Sequence, residues 1–200
     1  MTGMDAPTIA LIRLAAAIAG GQPGRLSQRC REAIGAGVPP VWADELLLQS
    51  RLMVGYPRTL SAAQCWREAV GEPAVLPEAP GDGSDWTVRG ESTCRVVYGA
   101  NYDKLRDNVR RLHPALDAWM VSEGYGATLG RPGLDLVRRE LCVIAQVTVL
   151  EADRQLHSHL RGALNAGAHP AMIDEAFVAI QGDVAAAPLA RAIALWGRLR

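Results

Sequence analysis

Apolar residues recur every three to four positions along most of this chain, the spacing of helices that turn one face to a core. The pattern is clearest near the C-terminus, where it predicts helices over 135–150, 153–165, 170–182 and 187–198. Asp135, just after Arg-Pro-Gly-Leu, suits an N-cap. Gly167 falls where a helix would end in a left-handed residue, and Pro170 suits the first turn of the next helix. The same pattern predicts helices over 8–20, 23–35, 40–54 and 59–69, with Gly37 and Pro40 in the matching places. Two further stretches, 98–112 and 114–127, end at the turn Gly130-Arg-Pro-Gly133. No run alternates with a period of two, so the expected fold is all-α.

Shifting the chain by 130 positions brings one part into register with another. Leu11 falls on Leu141, Leu26 on Leu156, Ala36-Gly37 on Ala166-Gly167, Asp44-Glu45 on Asp174-Glu175 and Trp66 on Trp196. Identities this widely spread in a single register argue for an internal duplication. The chain therefore divides into a first helical repeat (1–70), a Pro/Gly-rich linker (71–97) and a second repeat (98–200), the repeats packed as one domain.

Two ionisable residues break the apolar faces of the second copy. Glu140 lies four residues from both Leu136 and Ile144, and His159 lies three from Leu156 and four from Ala163. A carboxylate on a core stripe costs several kcal/mol unless it is paired, and an imidazole on the neighbouring helix is a natural partner. The first copy has Ala10 and Arg29 at these two positions, so the pair is not needed to build the fold unit. Such a pair has two readings, a proton-transfer site or a satisfied structural contact.

Composition removes several function classes. With 21 basic and 21 acidic residues there is no net charge, and no basic stripe marks a nucleic-acid or membrane surface. The apolar run Ala6–Ala19 is interrupted by Arg13 and is too short to span a bilayer. Cys30, Cys65, Cys94 and Cys142 are scattered, without Cys-x-x-Cys or zinc-ligand spacing, and read as reduced thiols in a cytoplasmic protein. No metal is expected.

The residues Arg-Pro-Gly-Leu-Asp135, Arg139-Glu140-Leu, His159-x-Arg-Gly-Ala-Leu-Asn-Ala-Gly167, Pro170 and Glu175 resemble the carboxymuconolactone decarboxylase family, within the alkylhydroperoxidase D-like superfamily. The resemblance is strongest over residues 130–184, and the duplication extends it over 10–68. It implies an all-α fold of paired repeats that assembles as trimers or hexamers. In the peroxidase branch a Glu, a Cys-x-x-Cys pair and a His form the redox centre. Here the Glu and His fall on Glu140 and His159, while the cysteine positions hold Ala152 and Gln155. Thiol–disulfide exchange at that centre needs both sulfurs. The decarboxylase branch also lacks them and keeps the His, so it is the nearer relative.

That branch implies cofactor-independent decarboxylation of a small carboxylated lactone. Loss of carbon dioxide leaves an enolate that must be protonated at carbon, work suited to an imidazole. His159 is thus the expected general acid/base and Glu140 its orienting partner. Arg154 and Gln155 are candidates for holding the substrate, with Trp119 and Tyr125 as pocket walls. The alternatives are a peroxidase-like antioxidant protein and a non-catalytic ligand-binding or structural oligomer. A homo-oligomer, most simply a trimer, is expected in each case, with a small molecule as the other partner.

Overall fold

The computed structural model describes residues 3–71 and 83–200. Among them the regular elements are all helical, as expected. In the first copy α1 spans Ala6–Gly20, α2 Pro23–Gly35 and α3 Pro40–Val70. In the second, α7 spans Leu136–Val149, α8 Asp153–Asn165, α9 Pro170–Ala179 and α10 Ala186–Gly197. α3 is two helices meeting at Gly55, whose φ of 70° and ψ of 174° break the helix just before Pro57. Its two halves correspond to α9 and α10, so the 130-residue register holds in three dimensions.

The caps repeat as well. Asp5 accepts a hydrogen bond from the Thr8 amide (2.8 Å), and Asp135 accepts one from the Arg138 amide (3.0 Å). Gly37 and Gly167 both close their helices with positive φ, 74° and 100°.

One hydrophobic cluster joins both copies. At its centre α1 packs on α7: Leu11, Ile12, Leu14 and Ala15 of α1 and Leu141, Val143, Ile144 and Ala145 of α7 are all buried in the cluster, while α7 also buries Arg139, Glu140 and Gln146. Trp66 and Trp196 are buried in this core. Polar groups lock the seam. The fully buried Arg139 donates to Glu45 (2.7 Å) and to the carbonyl oxygens of Leu134 (3.0 Å) and Arg131 (3.1 Å). The mirror contact runs from the Met4 amide to Glu175 (2.8 Å). Each copy thus supplies a hydrogen-bond donor to a carboxylate of the other, buried at Glu45 and half-buried at Glu175.

The expected linker is where the fold departs from the sequence reading. Residues 72–82 lie outside the described residues, but Trp86–Tyr98 forms a helix, α4. α4 lies against Met120–Leu129, which is wound as a wide π-helix continuing α6 (Pro114–Trp119). Gly90 and Gly126 permit this contact. A β-carbon on Gly90 would sit 2.0 Å from the Val121 carbonyl oxygen, and one on Gly126 would sit 1.9 Å from that of Trp86. α5 (Tyr102–Leu112) is clamped to α6 through Asp117, which accepts hydrogen bonds from Arg106 (3.0 Å) and Arg110 (2.9 Å). Among the described residues no helix is long and apolar enough to cross a membrane.

Candidate active site

α7 carries Glu140 and α8 carries His159 to their contact. His159 Nδ1 is 2.8 Å from Glu140 Oε2. Glu140 is fully buried, and its second oxygen, Oε1, has no hydrogen-bond partner among the described residues. A β-carbon on Gly162 would stand 2.8 Å from Glu140 Oε2 and 2.7 Å from Val97 Cγ1. Residue 162 must therefore be small for the carboxylate to lie against α8.

His159 reaches the wall of a cavity of about 320 Å3. With Nδ1 committed to Glu140, Nε2 is the free ring nitrogen and has no hydrogen-bond partner among the described residues. Leu52, Met53, Met120 and Leu129 make the wall largely apolar, Tyr98 and Tyr125 add two phenols, and Trp119 and the exposed Glu123 stand with them. The two tyrosine rings meet edge to face, 5.9 Å apart at 77°. Burial pushes the Tyr98 hydroxyl up to about 12 and that of Tyr125 well above its ordinary value. Both stay neutral at physiological pH and available as hydrogen-bond donors or acceptors.

The structure therefore brings His159, Glu140, Trp119 and Tyr125 together. It does not bring Arg154 or Gln155 to them: both are exposed on α8 and neither lines the cavity. They fall on the outer side because α8 buries the stripe of Leu156, His159, Leu160 and Ala163 instead. Among the described residues no Arg or Lys lines this cavity. Tyr98 escaped the sequence reading: the pattern puts it at the start of the helical stretch 98–112, with no chemical signal there, whereas it ends α4. Leu52 and Met53 come from the other copy, just before the Gly55 break, and nothing local in sequence marks them.

The equivalent place in the first copy has been rebuilt. Arg29, in the His159 position, pairs with Asp183 (2.7 Å) and with Glu32, which stands where Gly162 stands in the second copy. Its charge is committed to those carboxylates. Sulfur chemistry at the Glu140–His159 site is also without support: Cys142 is fully buried and its thiol is pushed up to about 12 by that burial.

The carboxymuconolactone decarboxylase family model matches residues 2–68 and 114–197, and the chain belongs to that family. The match comes in two segments, as a tandem repeat would give. The chain is also similar to Peroxisomal protein 2 of Schizosaccharomyces pombe (strain 972 / ATCC 24843), with 25% identity over 174 residues, covering 83% of this chain and 81% of that protein. Tyr98 lies between the two matched segments, so part of the cavity wall comes from outside the family's shared pattern.

Proposed function

We propose that this chain is a cofactor-independent enzyme in which His159 transfers a proton to or from carbon in a small lactone or carbonyl compound. The observation that carries this reading is a histidine bonded through Nδ1 to a buried carboxylate, with Nε2 free at the wall of a largely apolar cavity. With Nδ1–H donated to Glu140, Nε2 offers a lone pair that can remove a proton from carbon adjacent to a carbonyl. The imidazolium so formed is held by the Glu140 carboxylate and returns the proton from Nε2–H. In a decarboxylation, His159 starts as the imidazolium, Nε2 having taken a proton from solvent; the electrons of the breaking carbon–carbon bond enter the carbonyl as an enolate, carbon dioxide leaves, and Nε2–H protonates the carbon. Tyr98 or Tyr125 can donate a hydrogen bond to the enolate oxygen.

The cavity narrows the substrate class. With a largely apolar wall, no cationic side chain among the described residues that line it and Glu123 on its rim, it favours a small, largely apolar substrate held without an ion pair. A carboxylate that leaves as carbon dioxide gains from such a wall, because the desolvated charge is dispersed as the bond breaks.

Incubation with small lactone and keto acids, following carbon dioxide release and substrate loss, tests this reading. His159→Ala should lower turnover by about 10²–10⁴-fold, the usual contribution of a positioned acid/base. If His159→Ala and Glu140→Gln both turn over substrate at the parent rate, the reading fails.

A homo-oligomer belongs to the same proposal, a trimer being favoured. Leu112, Leu116 and Trp119 leave a group of large apolar side chains exposed near the cavity mouth, which suits a subunit contact. Light scattering at micromolar concentration should give a mass near three chains, and a monomer would refute the assembly. The four free cysteines accord with the cytoplasmic setting we assign to it.

A further inference from the structure

In the first copy α2 and α3 bring together two cysteines that sequence separates by 35 positions. Cys30 Sγ lies 3.7 Å from Cys65 Sγ, and Ser27 Oγ lies 3.4 Å from the same Cys65 sulfur. Cys30 is fully buried. Cys65 is half-buried and lines a cavity of about 380 Å3, together with Ser27, Arg58, Gln64 and Glu68. The matching positions of the second copy are Leu160 and Leu195, so leucine satisfies the same packing there. The first copy has two facing thiols instead, one sheltered and one open to a cavity.

We propose that Cys30 and Cys65 form a reversible dithiol/disulfide couple, oxidised through this cavity by a small, carboxylate-bearing disulfide. The cavity presents Arg58, whose guanidinium donates to the Ala19 carbonyl oxygen and has no carboxylate partner among the described residues. It is free to attract a carboxylate. Glu68, on the same wall, is tied to the Gln64 amide (2.9 Å).

The exchange runs in two steps. The Cys65 thiolate attacks one sulfur of R–S–S–R; the sulfur–sulfur bond breaks, and the departing R–S⁻ takes up the proton that Cys65 released. The Cys30 thiolate then attacks Cys65 sulfur in the mixed disulfide and expels the second R–S⁻, which takes up the Cys30 proton. In sum, two protein thiols and one R–S–S–R become one protein disulfide and two R–SH. Two electrons pass from the protein to the small disulfide.

Burial sets the order of attack. The Cys30 thiol is pushed up to about 12, first by burial and then by negative charge at Cys65. Formation of the mixed disulfide removes that charge, so Cys30 becomes easier to ionise when its turn comes. Ser27 can donate a hydrogen bond to Cys65 sulfur. Bond formation brings the two sulfurs from 3.7 Å to a bonded distance of about 2.05 Å. The couple shares no residue with Glu140 and His159, so either proposal stands if the other fails.

The test uses the full chain, reduced, freed of reductant and then treated with oxidised glutathione. Peptides are mapped without reductant. The expected result is a cross-link between the Cys30 and Cys65 peptides, loss of two of the four thiols, and full recovery with dithiothreitol, in His159→Ala as in the parent. Cys30→Ser should trap one glutathione on Cys65, and Cys65→Ser should abolish thiol loss. Should either variant not fold, the cross-link in the parent decides alone. Glutathione held on Cys65 of the parent without a cross-link, or an unchanged thiol count, overturns the couple. Oxidised glutathione should react about tenfold faster than the cationic disulfide cystamine; equal or slower reaction overturns the assignment of a carboxylate-bearing partner.

Discussion

Glu140 Oε2 and His159 Nδ1 stand 2.8 Å apart between α7 and α8, and the first copy builds the same two helices without either residue. The contact is therefore separable from the fold, and its effect on stability can be predicted in both directions. His159→Ala leaves a buried carboxylate without its partner and should cost about 3–5 kcal/mol. Replacing both residues with leucine removes the charge as well as its partner, and such replacements are often neutral or stabilising. Urea unfolding of the three proteins checks this. A double variant that loses as much stability as the single one would show the pair to be structural.

Gly162→Ala should destabilise the protein although it replaces a helical glycine. Helix propensity alone favours alanine by about 1 kcal/mol. The new β-carbon would meet Glu140 Oε2 at 2.8 Å and Val97 Cγ1 at 2.7 Å. Such overpacking typically costs about 1–3 kcal/mol. A lower unfolding midpoint together with reduced turnover is expected. A gain in stability with turnover unchanged would contradict the close approach.

The repeat made the main helices readable: apolar periodicity, the Asp135 cap, Gly37 and Gly167, and the break near Gly55 each marked a boundary. The Glu140–His159 pair was readable for the same reason, since a charged residue on an apolar stripe demands a partner. α4 was not readable. Its sequence, Trp86-Thr-Val-Arg-Gly-Glu-Ser-Thr-Cys-Arg-Val-Val-Tyr98, is poor in strong helix formers, and it packs through the backbone contact at Gly90 with a π-helix. Tyr98, at the start of the expected stretch 98–112, carried no signal of its own. Arg154 and Gln155 were misplaced because nearness in sequence to His159 does not fix which side of α8 a residue occupies. The approach of Cys30 to Cys65 depends on how α2 packs on α3, which no local pattern records.

Asp117 gives a pH-dependent test of the clamp behind the cavity wall. A hydrogen bond from Arg106, joined by one from Arg110, holds its carboxyl below the ordinary value. The folded-state value is thus below the unfolded one. The stabilisation is present above the unfolded value, about 3.9, and is lost as pH falls through the folded value. Asp117→Asn should therefore lower stability most at neutral pH, with the difference from the parent shrinking below about pH 4. Denaturant unfolding at pH 7 and across the acid range reads this. A difference that does not change with pH would refute the ion-pair account.

Cys94 and Cys142 should resist alkylation in the native protein. Burial pushes both thiols up to about 12. At pH 8 each therefore stays in its thiol form. Iodoacetamide followed by peptide mapping should find both unmodified until the chain is unfolded. Rapid native labelling of Cys142, or peroxide consumption abolished by Cys142→Ser, would reopen sulfur chemistry beside Glu140.

Proton transfer to carbon by His159 is tested most directly with solvent deuterium. A lactone or keto acid that the parent turns over is allowed to react in deuterium oxide, and deuterium at the former α-carbon is followed by proton NMR. The parent should deposit solvent deuterium there, and Glu140→Gln should do so more slowly. His159→Ala should lose at least about 10²-fold in rate while remaining folded by circular dichroism. Deuterium delivered by folded His159→Ala at the parent rate would contradict the account.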